Sequence, residues 1–301
     1  MTDGHTEKVG FIGLGNMGGR MGRCILQNGQ TLFGYDVNPE QLNIPGLQAA
    51  GSVGELVQTV DIVLLSLPSS AIIEKIVLGE NGVFDHAREG QIVVDLSTAR
   101  VSSSRAIHDA LAGKGVSFLD AGISGGAKLA EKGELTLMVG GDAEGLERVR
   151  PILELFSSHI FHMGGSGSGH AAKILNNFLN GISLAATAEV MVAAKKTGLH
   201  LETFLNVVNN SSGVNFATIN RFPFIIKGDY LEGGLTGELM AKDLHLYLEL
   251  IKELGVVSFQ GASCLNAFEV ANGMGYRHEI SNKVVDAIGD LAGGVRLHKE
   301  G

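Results

Sequence analysis

Cysteine is scarce in this chain. The 301 residues include two, Cys24 and Cys264, far apart and in no C-x-x-C pair. This excludes a disulfide framework and a cysteine-based zinc site, and predicts two small buried thiols in a reducing compartment. Charge is also thin: 18% of residues are Asp, Glu, Lys or Arg, and the formal net charge is −9. An acidic chain does not suit a nucleic-acid backbone, which needs clustered Lys and Arg. A local positive site for a small anion remains compatible with it. Long hydrophobic runs are missing too. The most apolar uncharged stretch, residues 174–188, holds three asparagines and a glycine and stops at Glu189, which reads as too short and too polar for a membrane span. The opening "MTDGHTEK" is polar and has no apolar signal-peptide core. There is no internal repeat and no low-complexity tract. A cytoplasmic protein is expected, with neither nucleic acid nor membrane as partner.

What is present is a globular composition, 45% hydrophobic, arranged in two styles. In the first half, short apolar runs ("KVGFIG", "TLFGYD", "DIVLLSLP", "QIVVDLS", "VSFLDAG") alternate with helix-like stretches at 17–29, 71–77 and 102–114. Such alternation predicts βαβ units and a doubly wound parallel sheet, an α/β fold. "LTLMVGG" and "SSHIFHMGG" add two strands. Residues 170–197 read as one long helix with apolar side chains on nearly all faces, expected to be buried all round. Further helices are expected at 200–211, 214–226, 237–254, 258–273 and 281–291. The division predicted is a Rossmann-type domain, 1–164, followed by an all-helical domain, 165–301, with the long helix between them.

"GFIGLGNMGG" carries G-x-G-x-x-G at Gly13, Gly15 and Gly18, placed after a strand and before a helix. In that context the loop Gly13-Leu14-Gly15-Asn16-Met17-Gly18 predicts a dinucleotide site, with the pyrophosphate at the helix N-terminus. Asp36 ends the second strand, near the spacing of the acid that binds the adenosine ribose hydroxyls. A carboxylate there repels a 2′-phosphate, so NAD is expected over NADP.

"GISGG", residues 122–126, matches the G-x-S-x-G elbow of α/β hydrolases. The elbow needs a substantial helix after the serine, and "AKLAEKG" supplies two turns at most. The loop serves better as a carboxylate nest of Ser124, Gly125 and Gly126. His159 and His162 in "HIFH" have no third ligand near them in sequence, and no metal site is expected.

The segment "GSGHAAKILNN" places Lys173, Asn177 and Asn180 on one face of the apolar helix, at i, i+4 and i+7. A buried lysine is costly unless paired or neutralised, and the asparagines point to a polar pocket on that face. With this segment the chain resembles the β-hydroxyacid dehydrogenase family, the 3-hydroxyisobutyrate dehydrogenase and tartronate semialdehyde reductase type. "GFIGLGNMG" is similar to its cofactor loop, and "DAGISGG" to its D-A-P-V-S-G-G substrate loop. "GSGHAAKILNN" is similar to its G-x-G-x-x-x-K-x-x-N-N, and "AKDLHL" to its K-D-L motif.

The resemblance implies roles. Lys173 is the general acid/base, Asn177 orients the substrate, and Ser124, Gly125 and Gly126 hold its carboxylate. Lys242 and Asp243 close the site, Lys242 also beside the cofactor. Leu67 and Pro68 lie along the cofactor, and Ser97 and Thr98 lie near the nicotinamide ribose. It also implies a homodimer or homotetramer. The chemistry agrees, since oxidising an alcohol by hydride transfer requires removing its proton. A neutral asparagine beside the lysine adds a hydrogen bond without a counter-charge. Two departures stand out: Gly122 and Ile123 replace the usual Pro and Val, and Lys128 is a cation available to a second anionic group. The competing readings are an imine reductase, which generally lacks the lysine, and a non-catalytic binding module on the same scaffold.

Overall fold

A computed structural model describes residues 7–299; of the N-terminal segment discussed above, Met1–Thr6 lies outside the described residues. The chain forms two compact units that part between Lys173 and Ile174.

The first unit is built on an eight-stranded sheet, with β1 (Val9–Ile12), β2 (Leu32–Tyr35), β3 (Gln48–Ala49), β4 (Ile62–Leu65), β5 (Ile92–Asp95), β6 (Ser117–Ser124), β7 (Leu135–Gly140) and β8 (Ser157–Gly164). Their order is β3-β2-β1-β4-β5-β6-β7-β8. Alternate residues of the inner strands enter different cores. Val9, Phe11, Ile62, Leu64, Ile92 and Val94 pack in one cluster, and Ile12, Val63, Leu65 and Val93 in another. Burial on both faces is why these strands read as continuous apolar runs. The helices are α1 (Gly18–Gln27), α2 (Val53–Thr59), α3 (Ser70–Leu78), α4 (Val83–His86), α5 (Val101–Ala112), α6 (Gly126–Lys132) and α7 (Ala143–Leu153).

The sheet is parallel except at one pair, where β7 runs antiparallel to β6. The ten residues between Ser124 and Leu135, with α6 among them, are too few for a parallel crossover of a dozen or more. The same brevity disposes of the hydrolase elbow: the helix after Ser124 has seven residues and leads into a returning strand.

The second unit is helical. It follows α8 (Ser168–Lys196), which crosses the boundary, with α9 (Leu201–Asn209), α10 (Phe216–Asn220), α11 (Phe222–Ile225), α12 (Gly237–Glu253), α13 (Gly261–Ala271) and α14 (Val284–Leu291). The helix expected over 214–226 is broken in two at Arg221, because Pro223 cannot donate a backbone hydrogen bond. The expectation that α8 is buried all round does not hold. Leu184, Ala188 and Met191 are buried in the helical core, while Leu175, Leu179 and Val190 are exposed. Apolarity alone does not say which faces the same chain covers. By length and by a mean hydropathy of 1.2, α8 is long and apolar enough to cross a membrane, contrary to the sequence estimate. Half of that apolar window is buried within the fold, as in a core helix.

Both cysteines are free and buried. Burial pushes the Cys24 thiol up and the Cys264 thiol up to about 12, so neither is a ready nucleophile.

Candidate active site

The glycine loop leaves β1 at the point where the strand order reverses, the usual place for a ligand in an open α/β sheet. Gly13 has φ +89°, and a β-carbon there would strike the Ser66 carbonyl. A β-carbon on Gly18 would strike the Gly13 carbonyl, so the strand and α1 close up only without side chains at both points. Gly15, by contrast, has open space where a side chain would stand. A cradle of this shape, open at one backbone position and leading into a ten-residue helix, fits a pyrophosphate. The Asp36 carboxylate lies at the end of β2. It accepts hydrogen bonds from the backbone N–H of Leu14 at 2.7 Å and of Asn38 at 2.8 Å, which ties the end of β2 to the glycine loop. Asn16 is held by the Arg20 guanidinium, which also pairs with Glu131 of α6 at 2.9 Å.

Two further loops follow β4 and β5. The Ser97 hydroxyl accepts from the Leu67 N–H at 2.8 Å, and the Ser97 N–H donates to Asp95 at 3.0 Å. Leu67, Pro68, Ser97 and Thr98 thus belong to one connected rim above the parallel strands.

The lysine is placed by β6. Side chains at alternate positions of a strand share a face, and on β6 Asp120 meets the start of α8 and Gly122 admits it, with Ser124 next on that face. The Asp120 carboxylate, fully buried, accepts from the N–H groups of Gly167 at 2.7 Å and His170 at 2.8 Å, and so caps the helix from another strand. At Gly122 the strand backbone packs directly under Lys173: a β-carbon there would collide with the lysine's own Cβ and lie 3.0 Å from its Cγ. Gly169 makes the same close approach to the carbonyls of Asp120 and Met138. Ser124 is the next residue on that face, about 6–7 Å further along the strand. It is followed by Gly125 (φ +130°) and Gly126 (φ +67°), both exposed. Lys173 is half-buried.

Behind this face lies a chain of buried polar groups that sequence reasoning did not single out. The His170 ring meets the Ser104 hydroxyl at 2.7 Å through Nδ1, and its Nε2 lies 4.0 Å from Asp95. Ser, His and Asp in a row suggest a hydrolase, but the three are 0–1% exposed. No substrate reaches them, and they act as a strut between α5, α8 and β5. Burial pushes the Asp95 carboxyl up; nearby His170 and the bonds from Ser97 pull it down less strongly. No local pattern in the sequence marks Ser104, His170 and Asp95 as partners, because they lie on three separate elements.

In the second unit, Asn177 is 3% exposed and its amide donates to the Asp243 carboxylate. Asp243 is also 3.3 Å from the Lys242 ammonium. The face of α8 is therefore not free of negative charge, as the neutral asparagines suggested; Asn177 backs onto a carboxylate that has its own cation. Asn180, one turn on, accepts from the Arg221 guanidinium at 2.9 Å. Lys128 is exposed on α6. His159 and His162 lie on the edge strand β8, where His162 bonds the Gly141 carbonyl at 2.9 Å. Among the described residues no group of three His, Cys, Asp or Glu side chains is arranged to hold a metal.

The comparisons with known proteins establish the family. Residues 8–165 match the NAD binding domain of 6-phosphogluconate dehydrogenase, and residues 167–288 match the domain described as NAD-binding of NADP-dependent 3-hydroxyisobutyrate dehydrogenase. The chain is an NAD-binding oxidoreductase of hydroxy acids, and it belongs to the β-hydroxyacid dehydrogenase family. It is 36% identical to 2-(hydroxymethyl)glutarate dehydrogenase of Eubacterium barkeri, over 95% of this chain and 96% of that one. It is 35% identical to 3-hydroxyisobutyrate dehydrogenase of Pseudomonas aeruginosa, over 90% and 94%. The solved 3-hydroxyisobutyrate dehydrogenase of Mycobacterium tuberculosis with L-serine superposes with a TM-score of 0.83 at 28% identity, covering 93% of this chain and 98% of that one. Solved imine reductases, at 17–18% identity, share the fold alone.

Proposed function

We propose that this chain interconverts a small β-hydroxy acid and its semialdehyde, with Lys173 as the general acid/base. The observation that carries the reading is the packing of Lys173 on Gly122, which sets the lysine stem on the same strand face as Ser124.

The division of labour follows from the chain's own residues. Ser124 and the open N–H groups of Gly125 and Gly126 hold the substrate carboxylate. Neutral Lys173 takes the hydroxyl proton during oxidation, and its ammonium returns a proton to the carbonyl oxygen during reduction. Asn177, its amide oriented by Asp243, fixes the hydroxyl-bearing carbon, and Lys242 and Asp243 complete the site. Gly13, Leu14, Gly15, Asn16, Met17 and Gly18 hold the pyrophosphate. Asp36 holds the adenosine ribose, while Leu67, Pro68, Ser97 and Thr98 line the nicotinamide end, and Lys242 has the cofactor role that the family resemblance implies. When bound, NAD supplies the hydride acceptor; Asp36 favours it over NADP. The helical residues 165–301 form the substrate and oligomerisation domain of a homodimer or homotetramer in the cytoplasm. The exposed leucines of α8 support the oligomer.

The test is absorbance at 340 nm with NAD and NADP over a panel of hydroxy acids: 3-hydroxyisobutyrate, 2-(hydroxymethyl)glutarate, serine, threonate and glycerate. NADH formation from one of them is expected. Lys173→Ala is expected to lower kcat by at least about 1,000-fold while NAD still binds. Near-normal turnover by that variant, or activity on cyclic imines alone, would overturn the assignment.

A further inference from the structure

The second unit contains three arginines, Arg221, Arg277 and Arg296. Arg296 pairs with Asp290 at 2.6 Å and with Asp286 at 3.7 Å, and Arg277 pairs with Glu238 at 3.5 Å. Arg221 is different. It is half-buried at the break between α10 and α11, and among the described residues no carboxylate is seen to pair with it. Its neighbours are neutral. Nη1 donates to the Asn282 side chain at 2.9 Å, Nη2 to the Asn180 side chain at 2.9 Å, and the Phe216 ring lies 5.7 Å from the guanidinium carbon.

A strut between three segments does not need a charge; a neutral side chain that hydrogen-bonds two carboxamides would serve. A guanidinium partly removed from water without a counter-ion is unfavourable, and burial pulls Arg221 down to about 10, still charged at neutral pH. Of the five N–H donors of a guanidinium, the two asparagines engage two. The rest retain the fork geometry that matches a carboxylate.

Position completes the argument. Asn180, which holds Arg221, shares the α8 face of Lys173 and Asn177 and is about 10 Å along the helix from Lys173. Side chains on a helix all lean toward its N-terminus, so Lys173 and Asn180 keep roughly that spacing, a span that a diacid of glutarate length bridges with a hydrogen bond at each end. We propose that Arg221 is an anion subsite for the second carboxylate of a hydroxy dicarboxylic acid, and that it makes the chain selective for diacids. This rests on Lys173 being the acid/base, since it extends the same substrate along the same helix face.

The experiment uses a matched pair. 2-(Hydroxymethyl)glutarate and 3-hydroxyisobutyrate share the hydroxymethyl acid, and the first adds a carboxymethyl group. The full-length protein is expected to show a kcat/KM at least about 10-fold higher for the diacid. Arg221→Met is expected to lower the ratio of diacid to monoacid kcat/KM about 30-fold, through KM, and Arg221→Lys to lower it less. A protein that prefers the monoacid, or a ratio unmoved in Arg221→Met, would overturn the proposal.

If Arg221→Met does not fold, thermal unfolding of the unaltered protein with NAD decides. Glutarate is expected to raise Tm more than butyrate does, and equal shifts would sink the subsite. Lys173→Ala separates the two claims. If it retains turnover, the acid/base assignment fails, whereas a glutarate shift in that variant still supports the Arg221 subsite.

Discussion

Gly122 and Lys173 are packed backbone against side-chain stem, so closely that no β-carbon fits between them. Lys173, the proposed acid/base, is thus seated on the strand that ends in the proposed carboxylate loop. Gly122→Ala forces either the lysine stem or β6 to shift. Overpacking of this kind costs about 1–3 kcal/mol of stability. A misplaced acid/base costs more in rate, so kcat is expected to fall at least about 10-fold, with a smaller change in KM for the acid. Steady-state kinetics beside a thermal melt checks this; a variant with lowered Tm and unaltered kcat would show that the contact matters to folding alone.

Asn177 and Asp243 form a second pair whose chemistry is testable by charge. Asn177→Asp sets two buried carboxylates against each other, with one lysine to serve both. It is expected to cost about 3 kcal/mol and to abolish most activity. Asp243→Asn in the same chain removes the repulsion, so the double variant is expected to regain stability relative to Asn177→Asp. Urea unfolding of the two singles and the double gives the coupling, and additive effects would contradict the pairing.

Asp36 predicts cofactor choice. Its two oxygens hold the N–H groups of Leu14 and Asn38. Asp36→Ser removes the carboxylate that repels a 2′-phosphate and loosens the loop. The ratio of kcat/KM with NAD to that with NADP is expected to fall at least about 10-fold, and an unchanged ratio would place the discrimination elsewhere.

Asp95 sets a pH dependence. Its carboxyl is raised above the ordinary 3.8 chiefly by burial. The folded state therefore holds this proton more tightly than the unfolded state. The stabilisation is full below 3.8 and is lost as pH rises through the folded value. Asn mimics the protonated acid and can still accept from the Ser97 N–H. Asp95→Asn is thus expected to unfold at higher urea than the unaltered protein at pH 7, with the difference shrinking toward pH 4. The opposite trend would mean that His170 holds Asp95 ionised in the folded state.

Much of the fold was readable because its signals are local. Both-face burial made β1, β4 and β5 continuous apolar runs, and the glycine loop announced its turn by residue type. The two-residue edge strand β3 was missed because Gln48 and Ala49 are exposed and carry no apolar pattern. The break at Arg221 was missed because the apolar periodicity of 214–226 continues across Pro223.

The sequence by itself determined the dinucleotide loop, the alternating strands and the helix that carries Lys173, since each depends on neighbours within a few turns. Only the tertiary structure decided what stands against that helix. Asp120 caps it from a strand 50 residues earlier in the chain than His170. Gly122 admits the lysine, Asp243 backs Asn177, and Arg221 meets Asn180 without a carboxylate. These are pairings between distant segments, selected by close packing and by the requirement that buried polar groups find partners, and no periodicity in the chain records them.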